Sequence, residues 1–116
     1  MSVQEEQTVW VKAVSYGDLA VNTGKTIRYQ GEEVALFKLS GGKLHAIQNR
    51  CPHKQGVLAE GIVCDEHVFC PMHDRKIHLP TGVVQKPDTG CVRTYPTKIQ
   101  DGLVFIGFSK AEELAS

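Results

Sequence analysis

Two short boxes near the middle of the chain decide the fold: residues 51–53 read Cys-Pro-His, and residues 70–73 read Cys-Pro-Met-His. Each box carries one cysteine and one histidine, and sixteen residues separate the boxes. Thiolate sulfur suits soft metals and iron–sulfur clusters, whereas imidazole suits zinc, copper and iron. In a zinc finger the cysteines and the histidines form separate pairs. One cysteine and one histidine per box instead favour a two-metal unit, in which the cysteines hold one iron and the histidines the other.

The segment around these boxes differs from the rest of the chain in its turn content. Residues 49–80 contain three of the four cysteines and three of the five prolines. Proline fixes φ and removes a backbone donor, so Pro52 and Pro71 stiffen the two boxes. A loop-rich segment on a β scaffold is where binding sites usually lie.

The flanking sequence predicts short strands separated by turns, which is typical of an all-β sandwich or barrel. A Ser-Gly-Gly-Lys turn at 40–43 indicates one hairpin, and an Asp-Gly turn at 101–102 indicates a second. The strand candidates are residues 8–14, 26–29, 34–39, 44–48, 68–70, 83–84, 94–99 and 103–108.

Length and charge limit the possible partners. The chain has 116 residues, a size typical of one domain, which we place at residues 1–116 with a frayed tail at about 109–116. Thirteen basic residues balance thirteen acidic ones, so a nucleic-acid partner is not expected. The longest apolar run, residues 103–108, is too short to span a bilayer. Residues 1–7 show no signal-peptide pattern, and we expect a cytoplasmic protein.

The two boxes resemble those of Rieske [2Fe–2S] domains, with Cys51, His53, Cys70 and His73 at the four ligand positions. The resemblance covers nearly the whole chain and implies one [2Fe–2S] cluster. It also implies stacked antiparallel sheets with a loop-rich cluster-binding subdomain at about 47–87. A Cys₂His₂ zinc site, which would make the chain a structural module, is the alternative, because spacing alone does not identify a metal.

The chain differs from the high-potential Rieske proteins of the respiratory complexes at positions that affect the redox potential of the cluster. Those proteins carry a disulfide whose cysteines correspond to Gly56 and Met72 here. They also carry Ser and Tyr hydroxyl donors where this chain has Arg75 and Ile77. Hydrogen bonds to cluster sulfur raise the potential, so the resemblance implies a low-potential centre.

Two segments are more similar to the small subunit of assimilatory NAD(P)H nitrite reductase than to free Rieske ferredoxins. One is residues 73–79, and the other is residues 86–96, Lys-Pro-Asp-Thr-Gly-Cys-Val-Arg-Thr-Tyr-Pro. This resemblance implies electron transfer to a large subunit that holds flavin, sirohaem and a [4Fe–4S] cluster. Neither a G-x-G-x-x-G run nor a flavin motif occurs, so we expect no active site in this chain itself. A stand-alone ferredoxin that serves an oxygenase remains the alternative.

The basic residues near the boxes and the remaining cysteines, histidines and glycines give weaker indications of function. Arg50, Lys54, Arg75 and Lys76 lie near the ligands and form either a solvated loop or a basic rim that docks a partner. We expect Cys64 and Cys91 to be small core residues, and His45 and His67 to lie on the surface. The glycines expected to permit tight turns are Gly56, Gly61 and Gly82.

Overall fold

The computed structural model describes residues 8–50, 57–71, 76–85 and 90–109. Within these ranges ten strands and two single 3₁₀ turns, Tyr16–Asp18 and Leu58–Glu60, follow one another. The strands are β1 (Thr8–Ser15), β2 (Thr23–Tyr29), β3 (Glu32–Lys38), β4 (Leu44–Gln48), β5 (Ile62–Cys64), β6 (His67–Phe69), β7 (Lys76–His78), β8 (Thr94–Tyr95), β9 (Thr97–Gln100) and β10 (Leu103–Ser109).

The strands form three antiparallel sheets with the orders β1-β10-β9, β2-β3-β4-β8 and β5-β6-β7. The predicted all-β class with stacked antiparallel sheets is therefore confirmed. The sequence did not predict β5 and β7, which supply two of the three strands of the third sheet.

Tight turns join neighbouring strands where the sequence supplies residues that tolerate positive φ. Asp101 and Gly102 have φ of 55° and 77°, which confirms the predicted Asp-Gly turn between β9 and β10. Gln30 and Gly31 have φ of 49° and 83° in the same kind of two-residue turn between β2 and β3. Positive φ at both turn positions matches the right-handed twist of the paired strands.

β3 is buried on both faces, which explains its unbroken apolar run. Val34, Ala35, Leu36 and Phe37 are all 0% exposed. Because side chains alternate along a strand, Val34 and Leu36 enter one core, and Ala35 and Phe37 enter the other. The central sheet is therefore the middle layer of three.

The two cores assign each outer sheet to one face of the central sheet. One core joins the central sheet to the β1-β10-β9 sheet through Val104, Ile106 and Phe108. The other joins it to the β5-β6-β7 sheet and the second 3₁₀ turn, through Leu58, Val68 and residues beside them. The third sheet, whose strand β6 ends directly before Cys70, thereby packs on the central layer.

No helix within the described ranges has the length and apolar character needed to cross a membrane. Residues 110–116 lie outside the described residues, so the predicted frayed tail stays a prediction, as does the single-domain organisation.

Candidate metal centre

Two strands end shortly before the two predicted ligand boxes along the chain. β4 ends at Gln48, three positions before Cys51, and β6 ends at Phe69, directly before Cys70. Cys51, His53 and His73 lie outside the described residues, and Cys70 lies within them. Within the described part of the chain no group of three or more His, Cys, Asp or Glu side chains could hold a metal ion. The ligand set therefore stays a prediction.

Cys70 has the surroundings that a sulfur ligand of a cluster needs. It is 0% exposed and belongs to the core that contains Leu58, Val68, Ile77 and Leu79. An apolar shell limits the access of water to a metal–sulfur bond. The burial of Cys70 at the end of β6, together with the mixed thiolate and imidazole donor set, fits an iron–sulfur cluster at this position.

The side chain of Asn49 joins residue 49 to residue 59, the two described positions that flank the first ligand box in the sequence. It is the one buried polar residue of the described ranges, at 1% exposed. Its Oδ1 accepts a hydrogen bond from the Ala59 backbone N–H at 2.8 Å, on the far side of the loop. Sequence reasoning missed this residue, and its signal was a polar side chain between an apolar strand and a Cys-x-His box.

Backbone hydrogen bonds join the residues on either side of two further loops, the second loop (residues 70–75) and the third loop (residues 85–89). Phe69 pairs with Lys76 in the β6–β7 ladder, on either side of residues 70–75. The Val84 N–H donates to the Gly90 carbonyl at 2.9 Å, on either side of residues 85–89. The third loop is also joined to the second, because the Gln85 N–H donates to the Lys76 carbonyl at 2.8 Å.

Gln48 connects the start of the first loop to the end of the third. Its backbone N–H donates to the Arg93 carbonyl at 2.8 Å, and its side-chain Oε1 accepts from the Arg93 N–H at 3.2 Å. Gln48 and Asn49, at the end of β4, thus contact the chain on both sides of the predicted ligands.

Two of the predicted tight glycines lie in the described residues, and both permit close backbone approach. A Cβ at Gly61 would collide with the Phe69 carbonyl oxygen, and a Cβ at Gly82 would collide with that of Val92. Gly82 also has φ of 76°. Gly56 lies outside the described residues.

The outer face of the third sheet exposes an apolar and cationic surface next to Cys70. Ile62 pairs with Phe69, and Phe69 pairs with Lys76, so the three side chains share one face. Ile62 is 73% exposed, and the Lys76 ammonium lies 5.6 Å from the centroid of the Phe69 ring. Of the predicted basic rim, Lys76 is partly buried, Arg50 is exposed, and Lys54 and Arg75 lie outside the described residues.

Cys64 and Cys91 are exposed thiols, so the prediction that they are core residues is wrong. The cause for Cys64 is the strand alternation of β5, which turns Val63 inward and the residues on either side outward. Cys91 lies opposite Val83 in an isolated bridge at the rim of the third loop.

His45 and His67 are partly buried, so their predicted surface positions need correction. Among the residues that the structure describes, the buried Nε2 of His45 has no hydrogen-bond partner. Burial is the main cause that lowers the pKa of this imidazole below 6.5. Burial also lowers the pKa of His67, whose ring lies 5.0 Å from that of His78. The Nδ1 of His78 lies 2.9 Å from the Thr81 hydroxyl.

The family profile of the Rieske-like [2Fe–2S] domain matches residues 9–107. The chain belongs to the Rieske-like [2Fe–2S] domain family. This Rieske protein accordingly carries one [2Fe–2S] cluster and serves in electron transfer associated with oxidoreductases. When bound, such a cluster supplies transfer of one electron at a time.

Relatives of this Rieske protein fall into several kinds of system. It is 35% identical to the 3-phenylpropionate/cinnamic acid dioxygenase ferredoxin subunit of Escherichia coli, over 79% of this chain and 89% of the ferredoxin. It is 34% identical to the 4β-methylsterol monooxygenase of Methylococcus capsulatus, over 84% of this chain but only 29% of that enzyme's length. A protein assigned as the NADH-dependent nitrite reductase small subunit of Mycobacterium tuberculosis superposes with a TM-score of 0.81 and 28% identity, over 87% of this chain and 96% of its own.

Proposed function

We propose that this Rieske protein is the electron-transfer small subunit of an NAD(P)H-dependent nitrite reductase. The observation that supports it most is the superposition on the Mycobacterium tuberculosis small subunit, which extends over almost the whole of that protein. The run at residues 86–96 supports the same assignment from the sequence. The partner is then a large subunit that holds flavin, a [4Fe–4S] cluster and sirohaem and carries out the nitrite chemistry.

The ligand set of the proposal is Cys51 and Cys70 on one iron and His53 and His73 on the other. In this proposal, the residues that the structure describes hold these four side chains in position. The buried position of Cys70 excludes water from one ligand, and Asn49 holds the two ends of the loop that carries two others.

Reconstitution with the partner tests the assignment. The full chain, loaded anaerobically with iron and sulfide, is mixed with a nitrite reductase large subunit, and complex formation and NAD(P)H-to-nitrite turnover are measured. We expect a stable complex, and we expect His73→Ala to abolish the turnover that the small subunit adds. His67→Gln, a change at a histidine outside the two boxes, serves as the matched control and should leave turnover unchanged.

The second candidate function is a ferredoxin for a Rieske-type oxygenase, which the 35% identity to the Escherichia coli ferredoxin subunit favours. It predicts rapid one-electron reduction of an oxygenase component and no complex with the large subunit. That pair of results would contradict the nitrite reductase assignment while leaving the electron-transfer function in place.

The proposed centre has a low potential, near the lower end of the Rieske range at about −150 mV. Ile77, which stands where high-potential relatives carry a tyrosine donor, is an apolar side chain buried in the core. A redox titration followed by visible circular dichroism measures the midpoint, and a value well above about +100 mV would contradict this proposal. A colourless protein with stoichiometric zinc after anaerobic purification would favour the zinc alternative.

A further inference from the structure

Gly61 connects the 3₁₀ turn Leu58–Glu60 to β5 without an unusual backbone conformation. Its φ of −77° and ψ of 171° lie in the extended region, which any residue adopts. Its N–H donates to the Leu58 carbonyl at 2.9 Å and so ends the turn. The backbone conformation at position 61 therefore gives no reason for a glycine, and the reason lies in what a side chain would meet.

The space beside Gly61 is filled by the backbone of β6. A Cβ at this position would collide with the Phe69 carbonyl oxygen. This oxygen cannot move aside as the end of a flexible side chain does, because Phe69 pairs with Ile62 in β5 and with Lys76 in β7. Gly61 is thus in close contact with one particular peptide group, the one that joins Phe69 to Cys70.

The peptide group between Phe69 and Cys70 helps to determine where the buried thiol lies. Because a peptide group is planar, displacement of the Phe69 carbonyl oxygen also moves the N–H and the Cα of Cys70. The Cys70 side chain is 0% exposed and packs in the core with Leu58 and Ile77. A close-packed core leaves little space for compensation. A side chain at position 61 would therefore affect the sulfur of Cys70 through a single peptide group.

A second glycine, Gly24 in β2, allows the 3₁₀ turn to pack on the central sheet. A Cβ at Gly24 would lie 2.5 Å from the Ala59 carbonyl oxygen and 2.7 Å from the Ala59 Cα. The turn is thus in direct contact with the backbone of β2 through Ala59 and with the backbone of β6 through Gly61. Both contacts require the absence of a side chain at the glycine.

We propose that Gly61 is a positioning residue for the cluster ligand Cys70, and that Gly24 supports it through the 3₁₀ turn. This role depends on Cys70 being a cluster ligand, as in the proposed function, but not on the identity of the electron-transfer partner. The potential of an iron–sulfur cluster depends on hydrogen bonds to its sulfur atoms and on its exposure to water. The contact at Gly61 therefore affects the redox potential of the cluster as well as the stability of the chain.

The redox midpoint and the visible circular dichroism of the full, cluster-loaded chain test this role. We expect Gly61→Ala to shift both the midpoint and the dichroism bands away from those of the wild type. Gly24→Ala should shift them to a smaller degree, because it acts through the turn. Gly17→Ala should reproduce the wild type, since a Cβ there would meet nothing within 4 Å. Sucrose in the buffer favours the folded state of the crowded variants.

Two destabilised variants in the opposite layer separate positioning from a general loss of stability. A Cβ at Gly107, in β10, would lie 2.8 Å from a side-chain carbon of Pro96. Ile106→Ala creates a cavity in the core on the other face of the central sheet. We expect Gly107→Ala and Ile106→Ala to lower the urea midpoint and to keep the wild-type redox midpoint and dichroism bands. Loss of iron from folded Gly61→Ala, with iron retained in these two variants, would also support the role of Gly61.

Wild-type redox midpoint and dichroism bands in Gly61→Ala would overturn the proposal. Equal shifts in Gly107→Ala or Ile106→Ala would also overturn it, because the signals would then follow stability and not the contact with Phe69. If far-ultraviolet circular dichroism shows that Gly61→Ala does not fold, Gly24→Ala provides the test, and wild-type signals in that variant would overturn the proposal.

The failure of the proposed function has a different outcome from the failure of this role. A chain that holds its cluster but binds no nitrite reductase large subunit would refute the proposed function and leave the role of Gly61 intact. Full iron content in Cys70→Ser would refute Cys70 as a cluster ligand, and the role of Gly61 with it.

Discussion

Burial separates the thiol of Cys70 from the thiols of Cys64 and Cys91. Cys70 is enclosed by the core, and the other two cysteines are exposed. We expect Cys70→Ser to abolish the iron content and brown colour of the reconstituted chain. Cys64→Ser and Cys91→Ser should each retain both. Iron and acid-labile sulfide per chain measure the outcome, and loss of the cluster in Cys64→Ser or Cys91→Ser would contradict the ligand assignment.

The imidazole of His45 makes stability depend on pH. Burial lowers its pKa below 6.5, the Glu66 carboxylate opposes this, and Lys43 and His78 add to it. The unfolded chain therefore binds more protons between the folded-state pKa and 6.5. This contribution to stability is complete above pH 6.5 and is lost as the pH falls through the folded-state pKa.

Replacement of His45 by Leu should weaken that dependence. We expect the free energy of unfolding to fall less between pH 7.5 and pH 5 in His45→Leu than in the wild type. Urea unfolding at both pH values measures the difference, and contributions from the other histidines cancel in the comparison. If the free energy of unfolding falls equally in both proteins, His45 does not cause the loss of stability at acidic pH.

At the level of single residues, the sequence could predict the ligand boxes but not the polar residue beside them. Two cysteines and two histidines at fixed spacings have few chemical explanations, so their pattern is informative alone. The role of Asn49 depends on Ala59, ten positions away, and on side chains from β2 and β3. Such a role exists only after the strands have paired, so no local pattern contains it.

Among the structural elements, the third sheet depends on a glycine at its edge. A Cβ at Gly61 would collide with the Phe69 carbonyl oxygen and approach a Val68 methyl group to 2.9 Å. We expect Gly61→Ala to lower the free energy of unfolding by about 1–3 kcal/mol, as overpacking of a dense interior does. Gly41→Ala, with nothing within 4 Å, is the matched control and should cost little. Equal urea midpoints for Gly61→Ala and Gly41→Ala would contradict the close approach of the Gly61 backbone to the Phe69 carbonyl oxygen.

The hairpins could be predicted from the sequence, whereas the strands of the third sheet could not. The turn at Asp101 and Gly102 requires positive φ at both positions. Aspartate and glycine are residue types that favour such a turn, so the sequence predicts it. β5 and β7 have three residues each, too few for an alternating pattern to be recognised. They form because Val63 and Ile77 face the core on which the central sheet packs, a condition set by tertiary structure.

In the whole molecule, one central sheet packs on two layers with different roles. The apolar run at 34–39 predicted the strand that the structure shows as β3, but it did not predict burial on both faces. An apolar run alone does not tell how many layers cover a strand. The β1-β10-β9 sheet stabilises the central layer from the face opposite the third sheet. Among the described residues, the third sheet and the β1-β10-β9 sheet belong to separate cores, so charge changes on the two outer layers can be compared independently.

A formal net charge of zero means that salt-dependent association must arise from local patches. Lys76 lies on the face next to Cys70, with its ammonium over the Phe69 ring. We expect Lys76→Gln to slow electron transfer to the partner by about two- to tenfold at low ionic strength and to weaken its salt dependence. Lys12→Gln, an exposed lysine on β1 in the opposite layer, is the matched control. Stopped-flow rates at about 20 mM and about 300 mM salt, conditions that differ several-fold in screening length, separate the cases. Equal slopes for both variants would place the docking surface away from the third sheet.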